Sequence, residues 1–382
     1  MRMRAAVVRE PGRPVELEEV ELAPPRAGEV LVRVAAAGVC HSDVRLADGE
    51  LGDGRWPLVL GHEGAGVVVA AGAGVDHVRP GDHVAFCFVP ACRSCPQCLA
   101  GRPNLCEPAG RNGVRGMLMD GTSRLRDRNG DELQHGLMTA CFAEHAVVAA
   151  GGAVPVPQEL PLWQAALLGC GVVTAMGAVR NVARVRPGES VAVFGCGGVG
   201  LQVIAACRLA GAAPIAAVDL APEKLERARA QGASDVFLAD EKPVSAIRRL
   251  AGGGVDHAFE VVGRPETIRL AWGALRPGGT AVVVGLAPKG VEASLPALEF
   301  LSDKGIRGSY YGSGDALADL PAYAAMALAG ALDLAGVVSH LDGLDGVQAA
   351  LDRLRRGEGA RTVLLVDRDL AGRPAGEEEE HR

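Results

Sequence analysis

The sequence predicts an α/β protein that combines a mainly β region with a doubly wound parallel sheet. Near the N-terminus, short apolar segments are broken by glycine and proline, and LVRV (31–34) alternates with the period of a strand. From about residue 190, apolar strands alternate with helical segments, as in a parallel βαβ sheet. Aromatic residues make up only 3% of the chain, so the core is built mainly of Val, Ala and Leu, which suits buried parallel strands.

The predicted strands of the first region are bounded by turn pairs such as PG at 11–12 and 80–81. These strands are AAVV (5–8), EVLVRVAAAGV (29–39), AGVVVAAG (65–72) and HVAFCFV (83–89). Between 107 and 140 the sequence is polar and irregular, and a long surface loop is expected there.

In the second region, VAVF (191–194) leads into a glycine cluster and an apolar helical stretch. Further strands are predicted at IAAVDL (215–220), DVFLA (235–239), DHAFEVVG (256–263) and TAVVVGLA (280–287), with helices between them. After about 310, a helix over LADLPAYAAMALAG and a last strand RTVLLVD (361–367) indicate a return to the first region. The predicted domains are 1–168 with 310–382, carrying a lobe at about 90–107, and 169–309.

Charge and composition exclude several classes of protein. The 382 residues carry a formal net charge of −7 without a basic stripe, which argues against nucleic acid as a partner. The N-terminal MRMRAAVVRE lacks the apolar stretch of a secretory signal, and no apolar run long enough to cross a membrane is expected. We therefore expect a cytoplasmic protein, with AGEEEEHR (375–382) as a solvated acidic tail.

Four cysteines fall within the fifteen residues CRSCPQCLAGRPNLC (92–106), in the pattern C-x2-C-x2-C-x7-C. Disulfides rarely persist in a reducing compartment, and a redox pair needs only two cysteines. Four clustered thiolates predict a metal, either a tetrahedral Zn2+ or, as the alternative, an iron–sulfur cluster. Such a closed site cannot bind substrate, so a structural zinc is expected on Cys92, Cys95, Cys98 and Cys106.

A second set of candidate ligands is spread along the chain. Cys40 lies in GVCHSDV, His62 stands beside Glu63 in LGHEGAG, and Cys170 lies at the junction of the two regions. Singly these are weak signals, because a buried cysteine is more often a small core residue. Together, two cysteines and one histidine are the ligand set of a catalytic zinc that leaves a fourth position for water or substrate.

The G-x-G-x-x-G motif predicts a bound dinucleotide. It follows the strand VAVF, opens a helix and precedes Asp219 at the end of the next strand, the context of a Rossmann nucleotide site. The pyrophosphate would rest on the helix N-terminus, and Asp219 would bind the adenosine ribose and repel a 2′-phosphate, which favours NAD over NADP. The residues of the motif are Gly195, Gly197, Gly198, Val199 and Gly200.

These motifs together resemble the zinc-containing alcohol dehydrogenases of the medium-chain dehydrogenase/reductase superfamily. GHEGAGVV, the four-cysteine stretch, DGTSRL (120–125), the GCG turn (169–171) and GCGGVGLQVI stand in the family's order over nearly the whole chain. The segment DGTSRL resembles a segment found in the long-chain branch of the family, the branch that includes glutathione-dependent formaldehyde dehydrogenase. The resemblance implies a GroES-like catalytic domain and a Rossmann cofactor domain, in a homodimer or homotetramer that pairs through TAVVVGLA as an edge strand.

The resemblance also implies roles at the metal. Cys40, His62 and Cys170 match the ligands of the catalytic zinc, and Glu63 matches a carboxylate that can approach it. Asp43 matches the carboxylate that orients the ligand histidine and raises its basicity. The metal would act as a Lewis acid on the substrate hydroxyl while nicotinamide C4 accepts hydride.

For the proton and the cofactor, the resemblance implies a further group of residues. Ser42 matches the hydroxyl that takes the alcohol proton, but Arg45 stands where some relatives continue the relay with a histidine. A guanidinium stays protonated, so the proton is expected to leave through the nicotinamide ribose or His41. Cofactor contacts are implied for His41 and Arg361 (pyrophosphate), Thr174 (nicotinamide) and Lys224 (adenosine ribose).

Three functions remain open from the sequence. The first is an NAD-dependent alcohol dehydrogenase, whose pocket Phe88 and Phe142 are expected to line and where Ser42 leaves room for bulkier alcohols. The second is oxidation of a thiol–formaldehyde adduct of the S-hydroxymethyl glutathione or mycothiol type, with Arg111 or Arg115 as a candidate carboxylate site. The third, a non-enzymatic NAD-binding protein, is disfavoured because a binding module needs no open metal site.

Overall fold

The computed structural model describes residues 1–51 and 56–372, so the expected acidic tail lies outside the described residues. The strands of the first region are β1 (Arg2–Val8), β2 (Glu16–Leu22), β3 (Glu29–Val39), β4 (Leu58–Val59), β5 (Glu63–Ala71), β6 (His83–Phe86), β7 (Leu125–Asp127), β8 (Glu132–His135), β9 (His145–Ala149) and β10 (Ala153–Pro155). Its helices are α1 (His41–Ala47), α2 (Pro96–Leu99) and α3 (Glu107–Gly113).

Two β structures share this region. The strands β1, β2, β7, β8 and β4 form a closed barrel, and the larger sheet runs in the order β10, β6, β5, β3 with β9 also paired to β3. Strand β3 is buried at every position except Arg33, as expected for a central strand covered on both faces. The sequence-based expectation of a mainly β first region is confirmed.

The segment 107–140 is more ordered than its polar sequence suggested. It contains α3, β7 and β8, and Arg124 before β7 is only 2% exposed. The Arg124 guanidinium donates through Nε to Glu29 Oε2 at 2.9 Å and through Nη2 to Asp120 Oδ2 at 2.6 Å. Because two carboxylates neutralise the buried cation, polar residues become part of the barrel, and the expectation of a long surface loop was wrong here.

One continuous helix, Leu162–Ala183, connects the two regions. It consists of α4 (Leu162–Ala165), a π-helical turn at Leu168–Val172, α5 (Val173–Gly177) and a second π-helical stretch at Ala178–Ala183. By length and composition it could cross a membrane, so the expectation that no such apolar run exists was wrong. Within the protein, however, 94% of its most apolar window is buried, as in the core helix of a globular protein.

The second sheet is parallel and doubly wound, as predicted. Its strands are β11 (Val191–Phe194), β12 (Ile215–Asp219), β13 (Asp235–Leu238), β14 (Val255–Glu260), β15 (Leu275–Val283) and β16 (Gly305–Gly308), in the spatial order β13-β12-β11-β14-β15-β16. The order reverses between β11 and β14, which opens a ligand crevice at the carboxyl ends of the strands. Its helices are α6 (Gly198–Leu209), α7 (Pro222–Gln231), α8 (Pro243–Leu250) and α9 (Pro265–Ala274).

The predicted edge strand TAVVVGLA is not at the edge. Its residues 280–283 form the second half of β15, which pairs with β14 on one side and β16 on the other. Among the described residues, the two strands of this sheet with one free side are β13 and β16. An apolar run shows that a strand is buried, but it does not show how many neighbours the strand has.

The chain then returns to the first region, as expected. The elements are α10 (Ala316–Leu328), β17 (Val338–Gly343), α11 (Val347–Arg355), β18 (Arg361–Leu365) and α12 (Arg368–Ala371). Strand β18 pairs antiparallel with β3, with Thr362 opposite Val39. This pairing brings Arg361, the first residue of β18, next to the end of β3 and to the cysteine that follows it.

Candidate active site

Three separate segments bring one set of metal-binding side chains together. Cys40 directly follows β3, and His62 directly precedes β5, which pairs antiparallel with β3 so that Gly38 lies opposite Glu63. Cys170 comes from the first π-helical turn of the connecting helix. The ligand atoms of Cys40, His62, Glu63 and Cys170 all lie within 4.8 Å of one another, and all four residues are buried.

The imidazole of His62 is oriented by Asp43. The Asp43 side chain accepts from the backbone N–H of Cys40 at 3.0 Å, and its Oδ1 lies 3.0 Å from His62 Nδ1. Burial alone would lower the pKa of His62, but the Asp43 carboxylate outweighs it, so the pKa lies well above its usual value. In the described part of the chain, His62 Nε2 has no hydrogen-bond partner, so a metal that displaces its proton can bind there.

The donor set fits a zinc ion. A tetrahedral zinc with bonds of about 2.0–2.3 Å places its ligand atoms roughly 3.3–3.8 Å apart. The cluster around Cys40 is compact enough for that, because its ligand atoms fall within 4.8 Å. A hydrogen bond with Cys170 lowers the pKa of Cys40 well below its usual value, so one of the two sulfurs is already a good thiolate donor.

Glu63, the carboxylate of the cluster, is paired with an arginine. Arg361 Nη1 is 3.0 Å from Glu63 Oε1 and also donates to the carbonyl of Val39 at 3.2 Å. Gly38 leaves the space that this carboxylate occupies, because a Cβ there would lie 2.4 Å from Glu63 Oε2. Burial raises the pKa of Glu63 to about 7 in spite of the neighbouring guanidinium.

The same arginine reaches the glycine turn of the second sheet. A Cβ on Gly198, the first residue of α6, would lie 2.3 Å from Arg361 Nε. Arg361 is 5% exposed, and its Nη2 has no hydrogen-bond partner in the described residues. The cluster of ligands and the helix N-terminus of the glycine turn are therefore direct neighbours across the junction of the two regions.

The glycine turn is shaped as an open cradle. Gly195 has a φ of +102°, and a Cβ on Gly200 would lie 1.8 Å from the Gly195 carbonyl oxygen, so both positions require glycine. A Cβ on Gly197 would meet no described atom within 4 Å, which is the free space a pyrophosphate needs. Asp219 ends β12 and accepts from the N–H groups of Cys196 at 2.7 Å and Ala221 at 3.1 Å.

The other predicted residues surround these two features. Ser42 Oγ lies 3.8 Å from Cys40 Sγ, and His41 is exposed at the start of α1. Thr174 on α5, Val199 on α6 and Lys224 on α7 are half-buried. Arg45 does not point at the cluster, since it forms a surface ion pair with Glu50.

Aromatic packing around the cluster was only partly predicted. The ring of Phe88 meets that of His62 edge-on at a centroid distance of 5.0 Å. Phe142 is fully buried against Gly61, the residue before His62, and its role as a wall of the pocket stays a prediction. Sequence reasoning missed Tyr311, whose ring lies 4.4 Å from that of Phe88, because no motif surrounds it.

The four cysteines of the lobe form a second, separate cluster. The ligand atoms of Cys92, Cys95, Cys98 and Cys106 fall within 4.8 Å of one another, with Cys92 Sγ and Cys98 Sγ 4.0 Å apart. The backbone N–H of Cys95 donates to Cys92 Sγ at 3.2 Å, and that of Cys92 donates to Cys106 Sγ at 3.2 Å. This closed sulfur set also fits a tetrahedral zinc.

Comparison with known proteins identifies both regions. Residues 26–158 match the family model of the alcohol dehydrogenase GroES-like domain, and residues 198–329 match the model of the zinc-binding dehydrogenase family. The chain is 39% identical to S-(hydroxymethyl)glutathione dehydrogenase of Escherichia coli O1:K1 over 368 residues, which cover 95% of this chain and 100% of the relative.

Solved structures show the same architecture. An alcohol dehydrogenase zinc-binding domain protein from Burkholderia ambifaria has a TM-score of 0.92 at 35% identity, covering 96% of this chain and 99% of that one. Benzyl alcohol dehydrogenase from Acinetobacter calcoaceticus has a TM-score of 0.91 at 30% identity, covering 96% and 100%. The chain thus belongs to the zinc-dependent alcohol dehydrogenases of the medium-chain dehydrogenase/reductase superfamily, oxidoreductases that use zinc and a nicotinamide cofactor.

Proposed function

We propose that Cys40, His62 and Cys170 hold the catalytic zinc and that the enzyme uses it to interconvert an alcohol and its aldehyde or ketone with NAD. One observation carries the proposal: three buried ligands from separate segments meet directly beside the glycine turn, with Arg361 touching both. A metal and a nicotinamide held there would reach the same substrate, the metal at its oxygen and the nicotinamide at the adjoining carbon. Bound zinc supplies Lewis acidity to the substrate oxygen, and bound nicotinamide supplies the hydride acceptor.

The surrounding residues would prepare that chemistry. Asp43 holds His62 with Nε2 directed into the cluster, and Glu63 stays close, 4.0 Å from that nitrogen, while paired with Arg361. We propose that Ser42 takes the proton from the substrate hydroxyl, which is supported by its Oγ lying 3.8 Å from Cys40 Sγ. From there we propose exit through the nicotinamide ribose or the exposed His41, because Arg45 is engaged by Glu50.

NAD is proposed over NADP because of Asp219. Its carboxylate is fixed by two backbone N–H groups at the end of β12, where the adenosine ribose of a bound dinucleotide would lie. A negative charge held at that point favours ribose hydroxyls and repels a 2′-phosphate. Lys224, at the start of α7 and close to the turn at Gly357, is proposed to support the same ribose, and Thr174 the nicotinamide.

For the substrate, we favour plain alcohols, with Phe88 as a wall of the pocket. Phe88 is the aromatic side chain that contacts the ligand His62, and it is only half-buried. A thiol–formaldehyde adduct is the second candidate, supported by the relatives named S-(hydroxymethyl)glutathione dehydrogenase at 39% identity. Arg111 and Arg115 are exposed and form no ion pair within the described residues, so both are available to a carboxylate.

The initial rate of NADH formation on a panel of substrates separates the two. The panel contains straight-chain, branched and aromatic alcohols, and formaldehyde with and without glutathione or another low-molecular-weight thiol. We expect alcohols to turn over without any thiol. If formaldehyde turns over only in the presence of a thiol and plain alcohols are oxidised slowly, the substrate is the thiol–formaldehyde adduct instead. In that case Arg111→Ala and Arg115→Ala should raise KM, with the exposed Arg128→Ala as the control.

We further propose a homodimer or homotetramer that works in the cytoplasm. The free edge of β16 and the adjoining exposed side chains of Leu298 (78%) and Leu301 (82%) favour self-association. The ten cysteines form no disulfide in the structure, and two thiolate clusters need a reducing compartment. We keep 1–168 with 310–382 and 169–309 as the proposed domains.

A further inference from the structure

A buried tyrosine contacts two of the ligand-bearing segments from behind. Tyr311 is 4% exposed, and its hydroxyl donates to the carbonyl of Gly169, the residue before Cys170, at 2.5 Å. Its ring lies 4.4 Å from the ring of Phe88, which in turn meets the ring of His62 at 5.0 Å. One side chain therefore supports Cys170 through the backbone and His62 through an intervening ring.

The segment that carries Cys170 needs such support. It is a π-helical turn, in which the regular pattern of helix hydrogen bonds is interrupted. Carbonyl groups in such a turn need hydrogen-bond partners from outside the helix. On one side it presses against β6, because a Cβ on Gly169 would lie 1.8 Å from the carbonyl oxygen of Phe86. On the other side the hydroxyl of Tyr311 binds its carbonyl, so the peptide before Cys170 is fixed from two directions.

Tyr311 is itself held in an unfavourable backbone conformation. Its φ is +53°, in the left-handed region that a tyrosine adopts only where neighbouring contacts enforce it. The loop around it is anchored to the four-cysteine lobe, since Asn104 Nδ2 donates to the carbonyl of Tyr310 at 3.1 Å and Arg93 pairs with Asp315. Asn181 on the connecting helix donates to the carbonyl of Gly312 at 3.0 Å.

We infer that Tyr311 is a positioning residue for the catalytic metal: it sets the direction of Cys170 and backs His62, and so fixes the geometry and affinity of the site. The inference rests on the proposed assignment of Cys170 and His62 as ligands. It goes beyond that assignment because it gives a role to a residue that is not among the proposed ligands.

Tyr311→Phe tests this, because it removes the hydroxyl and keeps the ring against Phe88. The matched control is Tyr323→Phe, since Tyr323 is 1% exposed on the neighbouring helix α10 and its hydroxyl faces Arg180 instead of a ligand segment. The full-length proteins are purified with zinc, and the loss of each metal to a chelator is followed over time. The cobalt-substituted forms are compared by their visible absorption spectra.

We expect Tyr311→Phe to weaken binding at the catalytic site by about tenfold or more, as is usual when a group that orients a ligand is removed. The cobalt bands of that site should shift, the bands of the four-cysteine site should not, and KM for NAD should stay unchanged while kcat falls. Tyr323→Phe should match the wild type. Equal metal retention and identical cobalt spectra in Tyr311→Phe and the wild type would overturn the inference.

Two further proteins keep the test decisive. Cys170→Ser should retain the lobe zinc alone, and if it keeps both metals the ligand assignment fails, whatever Tyr311→Phe shows. Asn104→Ala releases the loop at Tyr310 while leaving Tyr311 intact, and it should loosen the catalytic metal in the same direction by a smaller factor. If Tyr311→Phe does not fold, an unaltered catalytic metal in Asn104→Ala would count against the inference.

Discussion

Asp43 shows how a single residue can prepare the metal site. Its two oxygens face three donors, the N–H groups of Cys40 and Gly61 and Nδ1 of His62. A carboxylate can accept from all of them, and it is fully buried where it does so. The orientation of the ligand histidine is therefore built into the helix that follows the first ligand cysteine.

Asp43→Asn should weaken binding of the catalytic metal about 10–100-fold, as for other groups that orient a ligand. The amide turns one acceptor into an NH2 donor that faces another donor, so the imidazole loses its fixed orientation. Competition with a chelator measures the affinity, and the lobe zinc serves as an internal reference.

Asp48→Asn is the matched control on the same helix. Asp48 caps the end of α1 and pairs with Arg355 at the surface, an interaction worth about 0–1 kcal/mol. Wild-type metal affinity in Asp43→Asn would show that His62 does not depend on this carboxylate.

At the scale of residues, the sequence predicted what lies in local motifs. Cys40, His62 and the glycine turn were assigned from their local motifs, whereas the roles of Asp43 and Glu63 came from the family resemblance. The contact of Tyr311 with Gly169 joins positions 142 apart, and that of Arg361 with Val39 joins positions 322 apart. No periodicity or spacing encodes such pairs, since they arise only when strands and loops meet in the fold.

Among the elements, the glycine turn contains one position where a substitution should affect cofactor binding without affecting folding. A Cβ on Gly197 would meet no described atom within 4 Å, whereas one on Gly200 would collide with Gly195. Gly197→Ala should therefore keep the melting temperature of the wild type and weaken NAD binding, because the methyl group would occupy the space of the pyrophosphate.

Differential scanning fluorimetry and calorimetric titration with NAD measure the two effects of Gly197→Ala. Gly110→Ala, at another open glycine on α3, is the control and should bind NAD normally. Unchanged NAD affinity in Gly197→Ala would place the cofactor elsewhere.

The four-cysteine lobe is an element that depends on its metal. Its regular structure is limited to the short helix α2 and one 3-10 turn at Pro103–Leu105, and Cys95 and Cys106 are its buried cysteines. Cys98→Ser should reduce the zinc content from two ions to one per chain and expose the lobe to proteolysis after Arg93, since little else orders it.

Elemental analysis and limited trypsin digestion measure these effects in Cys98→Ser. Leu99→Ser changes the adjacent residue, which is 75% exposed, and should behave like the wild type. Retention of both metals by Cys98→Ser would refute a four-cysteine zinc site.

Two errors in predicting elements have the same physical origin. TAVVVGLA was placed at a sheet edge, and 107–140 was expected to be a surface loop. In each case the composition of a segment indicates whether it is buried or polar, but not which partners it has far along the chain. Strand β16 pairs with β15, and the carboxylate of Glu29 neutralises the guanidinium of Arg124. The alternation of strands and helices in the second sheet was predictable because each unit is local.

For the whole molecule, the free edge of β16 bears on assembly. Leu298, Phe300 and Leu301 lie just before this strand and are 78%, 44% and 82% exposed. Burial of such side chains against a second copy would remove both apolar surface and unpaired strand groups from water.

Leu301→Asp should shift the protein toward the monomer, because a charge would have to be buried in the interface. Sedimentation equilibrium measures the shift. Leu99→Asp, equally exposed but on the lobe, is the control. An unchanged association state in Leu301→Asp would place the interface on another surface.

We expect the folded chain to hold two zinc ions with different surroundings, and only one of them to lie beside the cofactor. Anomalous diffraction from crystals at the zinc absorption edge tests it most directly. The structure predicts one peak among Cys92, Cys95, Cys98 and Cys106 and a second bounded by Cys40, His62 and Cys170. A single peak in the lobe, in crystals of active enzyme with bound NAD, would contradict the account.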